Sequence, residues 1–444
     1  MTTTPPRVPI PANGVDYRGK VVLAPMVRSG ELPSRLLALK YGADLVWGPE
    51  TVDRALIGAN RRINPRNSMI EFTRFPSNGG RTDAAAKESV IYRIDPVREK
   101  GKLIFQLGTA SPELAVQAAK VIAGDVSGID VNAGCPKPFS TAGGMGAALL
   151  KTPDRLVSIL ESLVREVGSV WNIGISVKIR LLAKPEDTEQ LVTRLCRTGI
   201  TGLTVHCRTT PMRPREPAIR DQLRMIASIC RNAGVACVMN GDVKSRDQAL
   251  ELIQEYGVDG AMIATAAESN FSCFRTAAQG GLLPWRELAH DYLEAAMECE
   301  NKWGNTKFLL NIIVPGKERQ YNGAKQSKSY EECCRILEFD DLVPRAQQVD
   351  EILGLGKHRE TQKAAAVQKA MTQNETAKAA GGSSMTKEKS PDLSLQLESS
   401  GPGPIRRHSS GSSSTKSTHS VATSETTTGT NPETVPQTLS AVSV

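Results

Sequence analysis

Short apolar, β-branched runs recur along the chain, and stretches with helical periodicity separate most of them. The runs fall at 20–24, 43–47, 103–106, 128–131, 173–179, 202–206, 236–239 and 260–264. The helical patterns fall at 33–40, 112–122, 153–167, 188–197, 219–231 and 246–256, several opening on Pro or with Asp, Ser or Thr near the first turn. Eight buried-type strands alternating with helices predict an α/β fold, a (β/α)8 TIM barrel. A doubly wound open sheet is the competitor, but the strand number and the lack of a nucleotide-type first turn favour the barrel. The gap at 51–102 carries Arg61-Arg62, Pro65, Pro76 and Gly79-Gly80 and is expected to be an insertion over the active face, a small hairpin.

After the eighth run the pattern becomes helical. Leu288, Tyr292, Ala295, Ala296 and Cys299 keep spacings of three and four, and Trp303, Phe308 and Leu309 continue it toward Ile312. The expected organisation is an extension at 1–17, a barrel at 18–280, a small all-α domain at 281–356 and a tail at 357–444. The tail is rich in Ser, Thr, Gly, Pro, Lys and Ala, too poor in apolar residues to order itself.

Composition narrows the function classes. A net charge of +8 is compatible with a nucleic-acid partner and equally with a solvated basic surface. Residues 1–20 hold no apolar signal core, and no run reaches the length of a membrane span. The 9 cysteines include no Cys-x-x-Cys pair and the 5 histidines are scattered, so no metal site is expected. Reduced thiols point to a cytoplasmic protein, with the nucleus also open, and a monomer is expected.

Barrels work at the C-terminal ends of their strands, so polar residues ending apolar runs are the candidates. These are Pro25 and Met26 after the first run, Gln106 after the third, and Asn132 leading to Cys135 after the fourth. Lys178 and Arg180 follow on the fifth, His206 and Arg208 on the sixth, Asn240, Gly241 and Asp242 on the seventh, and Ala264 and Thr265 on the eighth. A lone Gln or His at a strand end is a structural cap as often as a ligand. An amide, a lysine, a histidine and an asparagine converging on one mouth form a site. Cys135 stands between Gly134 and Pro136 before a glycine-rich loop at 141–146, which places a thiol where it is used rather than hidden. That loop is neither a P-loop nor a dinucleotide fingerprint, and is expected to be a mobile lid. Lys178 and His206 are donors suited to a planar, electron-rich ring, and 240–242 with 260–265 lie where such barrels bind phosphate. FMN fits this set; other phosphorylated ligands satisfy the same logic.

Read in order, Leu23-Ala24-Pro25-Met26-Val27-Arg28, Val131-Asn132-Ala133-Gly134-Cys135-Pro136, Ser176-Val177-Lys178-Ile179-Arg180, Thr204-Val205-His206-Cys207-Arg208-Thr209 and Met239-Asn240-Gly241-Asp242 closely resemble the tRNA-dihydrouridine synthases. The 135–150 segment and Asn305-Thr306-Lys307 look like the eukaryotic branch acting at D-loop position 20, fungal-type, without a double-stranded-RNA-binding domain. The resemblance implies an FMN enzyme reduced by NADPH, with hydride transfer to C6 of a flipped uracil in tRNA and Cys135 giving a proton to C5. It further implies that Pro25, Met26, Gln106, Lys178 and His206 contact the flavin, and that Asn240, Gly241, Asp242, Ala264 and Thr265 hold its phosphate and ribityl end. Asn132, Arg180 and Arg208 would face the substrate, and the helical domain would grip the tRNA. Two positions depart from the family: Thr265 replaces an arginine that pairs with the flavin phosphate, and Ala142 replaces a lysine. Two other readings stay open: a tRNA-binding protein or chaperone with lapsed catalysis, and an FMN barrel dehydrogenase acting on a free pyrimidine.

Overall fold

The computed structural model describes residues 7–75, 88–213 and 215–356. The parts of the predicted N-terminal extension before residue 7, and the predicted tail at 357–444, lie outside the described residues. Strands β1 (Lys20–Leu23) and β2 (Leu45–Trp47) open the barrel, and a two-residue β3 (Thr51–Val52) follows. Three strands, β4 (Asn60–Ile63), β5 (Ile70–Arg74) and β6 (Ser89–Ile94), form a separate antiparallel sheet. Strands β7 (Leu103–Gly108), β8 (Gly128–Ala133), β9 (Gly174–Leu181), β10 (Gly202–Thr209), β11 (Ala236–Asn240) and β12 (Gly260–Ile263) complete the barrel. All barrel pairings are parallel: β1 pairs with β12, and β2 pairs with β7 through Val46 opposite Leu103, which closes the sheet on itself. The structure is therefore the eight-stranded closed barrel that the alternating pattern predicts.

Closure sorts every strand residue by parity. Outward residues such as Val21, Leu23, Phe105, Leu107, Val131 and Val177 are buried under the surrounding helices. Inward residues on one side of the barrel are apolar: Val22, Leu45, Trp47, Ile104, Val238 and Met262 pack together with Tyr17. On β8, β9 and β10 the inward residues are Asp130, Asn132, Ser176, Lys178, Arg180, Thr204 and His206. This polar half of the interior is where the chemistry collects.

The 51–102 insertion departs from expectation. It is a three-stranded sheet rather than a hairpin, because the β5 and β6 segments alternate well enough to pair, Ile70 opposite Ile94 and Phe72 opposite Tyr92. Its described residues make contacts along the flank of the barrel. Tyr92 meets the outward Phe105 of β7 edge to face at 5.0 Å. Arg61 reaches Asp125, in the turn before β8 at the opposite end from the mouth, at 2.7 Å.

Helices Trp285–Glu298, Trp303–Ile313, Tyr321–Gln326, Tyr330–Leu337 and Val343–Leu353 form the helical region. The residues picked out by spacing are its packing face: Leu288, Tyr292, Ala295, Ala296 and Cys299 are all buried. The region belongs to the same compact unit as the barrel. It is tied to the insertion by Arg66 and Asn64 on Glu300, and to the barrel by Asn305 on Glu31. Among the described residues no helix is long and apolar enough to cross a membrane.

One buried ion pair sits at this junction. Arg35, on the helix Leu32–Lys40, donates to Glu99 at 2.6 and 3.1 Å and to the Arg93 carbonyl at 2.7 Å, with both charged side chains almost wholly buried. Deleting one partner of such a pair strands the other charge, at a cost of about 3–5 kcal/mol. Glu99→Gln is expected to lower the unfolding free energy by about 3 kcal/mol, while Arg35→Met combined with Glu99→Leu loses less than the single change. Urea melts check this: a double variant less stable than Glu99→Gln would contradict it.

Candidate functional site

The strand registers place the polar inward residues in three rows. Gln106, Asp130 and Ser176 stand side by side across β7, β8 and β9. Asn132, Lys178 and Thr204 form the next row toward the mouth, and Arg180, His206 and Asn240 the row above. The lowest row is held by hydrogen bonds. The Gln106 Nε2 donates to Asp130 at 2.8 Å, and the Ser176 hydroxyl donates to the other Asp130 oxygen at 2.8 Å. With its amide nitrogen fixed in this way, Gln106 keeps its carbonyl oxygen for the space above.

That space is a cavity of about 320 Å³. Of the residues expected from sequence, Pro25, Met26, Gln106, Asn132, Cys135, Lys178, Arg180 and His206 line it. So do Glu50 and Glu268, which sequence reasoning missed. A larger groove of about 940 Å³ lies between the helices Leu32–Lys40 and Trp285–Glu298 and holds none of the strand-end groups; the chemistry, not the volume, marks the site.

The thiol is positioned by backbone geometry. Asn132 Oδ1 accepts from the amides of Gly134 at 2.9 Å and Cys135 at 3.0 Å, a side-chain turn that fixes the chain as it leaves β8. Arg180 Nε donates to the Gly134 carbonyl at 2.8 Å. The glycine-rich segment beyond is pinned rather than free. The Ala147 amide donates to the Cys135 carbonyl at 2.9 Å, and the buried Ser140 hydroxyl donates to Glu50 at 2.9 Å. The expected lid is thus anchored at both ends, with only Ala142 and Gly143 of the 141–146 loop fully exposed. Of the nine cysteines, Cys135 alone is not buried.

Electrostatics separate the roles of these groups. Burial, with Arg180 adding to it, pushes Lys178 down to about 8, against the pull of Asp130. Burial pushes Asp130 up to about 6, while Gln106, Ser176 and Lys178 favour its charged form. His206 is pushed down to about 2 by burial and by the cations Lys178, Arg180 and Arg208. It is therefore a neutral imidazole throughout the physiological range. Burial also raises the Cys135 thiol, with Glu50 contributing and Lys137 opposing. The sulfur holds its proton at neutral pH, as a proton donor must and a nucleophile must not.

The remaining expected residues lie elsewhere. A register shift between His206 and Thr209 interrupts the parity of β10. Arg208 is buried, 3.2 Å from the His206 Nε2 and 2.6 Å from Asp242, and does not line the cavity as a substrate residue would. Asp242 correspondingly directs its carboxylate to Arg208 and to the Ala218 amide, the latter at 2.8 Å. Asn240 donates to the Met262 carbonyl at 3.0 Å, and Arg220 donates to the carbonyls of Gly241 and Asp242, which fixes this turn. Ala264 and Thr265, at the neighbouring strand end, open the short helix Thr265–Ser269; none of the five residues at 240–242 and 264–265 touches the cavity.

A closed parallel barrel with a protonated thiol, a low-pKa lysine, a neutral imidazole and an oriented amide at its C-terminal mouth defines a (β/α)8 protein equipped to bind a planar ring and move a proton. The sequence pattern of the dihydrouridine synthase (Dus) family matches residues 22–330, and the chain belongs to that family. It is 51% identical over 331 residues to a Schizosaccharomyces pombe tRNA-dihydrouridine(20) synthase (NAD(P)+), covering 73% of this chain and 66% of that protein. It is 46% identical over 328 residues to the Saccharomyces cerevisiae protein of that name, covering 73% and 84%. Against a human tRNA-dihydrouridine(20a/20b) synthase (NAD(P)+)-like protein the identity is 30% over 312 residues, covering 69% and 87%.

The His206 environment has a measurable consequence. Between its ordinary pKa and about 2, the unfolded chain binds a proton at this position and the folded chain does not. Stability is therefore lost as pH falls through the ordinary histidine range. In His206→Asn the difference between urea melts at pH 7 and pH 5 is expected to shrink; an unchanged difference would mean that His206 protonates freely in the folded state.

Proposed function

We propose that this protein is a flavin-dependent tRNA-dihydrouridine synthase, an FMN- and NADPH-dependent oxidoreductase that saturates the C5–C6 bond of a D-loop uridine, at position 20. The observation that carries the reading is a single non-buried, protonated thiol facing Lys178, Gln106 and His206 in one cavity. Family membership and the names of the relatives support it. The match spans 66% of the length of the fission-yeast relative.

The donor set fits a flavin ring. Lys178 is a cation in a low-dielectric wall, His206 a neutral donor or acceptor, and Gln106 an amide whose nitrogen is already fixed. Lys178, Gln106 and His206 would hold the ring, with Pro25 and Met26 against it. The turns after β11 and β12 would face its phosphate end, with Asp242 holding Arg208 rather than touching the phosphate. FMN bound there and reduced by NADPH would supply hydride chemistry toward C6 of the uracil.

The protein's own work is the rest. A uridine must leave its stack to enter the barrel mouth. Asn132, which sets the Cys135 amide, and Arg180, which holds the Gly134 carbonyl, keep the thiol at a fixed height over the cavity. Cys135 then gives its proton to C5. Lys178 favours negative charge accumulating beside it in a site shielded from water. The tRNA-gripping surface is the junction of mouth and helical region. There the exposed Arg28 guanidinium lies 4.2 Å over the Phe308 ring, beside Met26 and Val27 of the cavity wall. Arginine on an aromatic plane suits both phosphate and base contacts.

Mass spectrometry of tRNA treated with enzyme and NADPH tests the reading. Wild type is expected to add two hydrogens to one D-loop uridine, and Cys135→Ala to lose roughly 100-fold or more in rate. A variant as fast as wild type would remove Cys135 from the acid role; a colourless protein that shifts tRNA in a gel without modifying it would favour the lapsed-catalysis reading. Lys178→Ala is expected to purify with less flavin or to reduce it more slowly with NADPH, measured by absorbance. Normal values of both would take Lys178 out of the site.

A further inference from the structure

Glu50 follows Gly48-Pro49 at the end of β2 and has no part in the steps above. Its carboxyl nevertheless sits in a built recess. One oxygen accepts from Ser140 at 2.9 Å. The other is buried with no hydrogen-bond partner. The Cys135 thiol and Asn132 lie beside the carboxyl and both act on its proton affinity. The backbone makes room for it twice. A Cβ on Gly108 would stand 2.6 Å from Glu50 Oε1, and a Cβ on Gly146 would stand 2.4 Å from Ser140 Oγ and 2.6 Å from the Cys135 carbonyl. Two glycines thus clear space for one carboxyl and for the hydroxyl that holds it.

We propose that Glu50 returns the proton to Cys135 after each turnover. The inference rests on the reading above, in which Cys135 is the acid. In the first step the Sγ–H bond breaks and a C5–H bond forms from the uracil π pair, leaving a thiolate. In the second the Glu50 O–H bond breaks and Sγ–H re-forms, leaving a carboxylate held by Ser140. A proton from bulk solvent, entering through the cavity mouth, then restores the carboxyl, and neither residue is oxidised or reduced.

The surroundings favour this sequence. Burial raises the Glu50 carboxyl, against Ser140, Asn132 and Cys135, and so favours its protonated form. An unpartnered buried oxygen costs far more as an anion than as a hydroxyl. Besides Glu50 itself, whose charged form raises the thiol, the charged groups acting on it are Lys137, Lys178 and Arg180. All three are cations that stabilise the thiolate once formed, so a neighbouring acid is needed to reset it. Glu50 acts through Cys135 and is a positioning and proton-returning residue, not a group that touches the uracil.

The test compares the first turnover with the steady state, using holoenzyme, tRNA and NADPH, with flavin reduction followed separately. Glu50→Gln keeps an acceptor for Ser140 but has no acidic proton. Its first turnover is expected to stay within about twofold of wild type while the steady-state rate falls roughly tenfold, and added acetic acid buffer restores part of that rate. Glu50→Asp keeps an acid drawn back from the thiol and is expected to fall between the two. An unchanged steady state in Glu50→Gln, or a parallel fall in both phases without rescue, overturns the proposal. Should Glu50→Gln not fold, Glu50→Asp decides: slowing confined to the steady state supports the proposal, and parallel or absent slowing overturns it. A wild-type protein that forms no dihydrouridine would refute the enzyme reading itself, a separate outcome.

Discussion

A carboxylate set into the barrel interior at Asp130 governs the site above it. A closed barrel gives an inward charge no route to solvent except the mouth, so its partners must come from neighbouring strands. Gln106 and Ser176 occupy the two adjacent register positions and take one oxygen each. The anion also offsets the burial of Lys178 one row higher. Without it the lysine would lose its main electrostatic support, and the Gln106 amide its fixed orientation. The polar half of the interior is thus one connected network, while the opposite half, from Val22 to Met262, is ordinary apolar packing.

The same two-residue alternation explains what the sequence could reveal. Polar residues at the ends of apolar runs are conspicuous, and eight of the expected site residues do meet at the cavity. Asp130 and Ser176 share the parity of Asn132 and Lys178 but sit inside the runs, where apolar neighbours conceal them. Glu50 follows a Gly-Pro pair off any strand. Its partner Ser140 is ninety residues distant, and no local pattern links them. Arg208 shows the opposite failure: parity puts it at the mouth, but the register shift after His206 turns it toward Asp242. In the insertion, proline and glycine drew attention to turns, whereas the alternating segments at 70–74 and 89–94 carried the structure.

The helical region is fixed by polar contacts as well as by its apolar core. Glu300 gathers Asn64 and Arg66 from the insertion, and Arg98 grips Glu298 at 2.7 Å. Asn305 engages Glu31, and the neighbouring Thr306 is buried against Tyr330 at 2.8 Å. Asn305 and Thr306, part of the segment that resembles the eukaryotic branch, serve here as fasteners, Asn305 to the barrel and Thr306 within the helical region.

The burial of all cysteines but Cys135 divides the molecule's chemistry from its durability. Eight sulfurs are shielded from oxidants by packing. The ninth is shielded at rest by its own proton, because a thiol is a poor target compared with a thiolate. In the proposed reaction that protection would lapse for the interval between giving up the proton and regaining it. Such a protein would age by use rather than by time, and whatever shortened that interval would lengthen its working life.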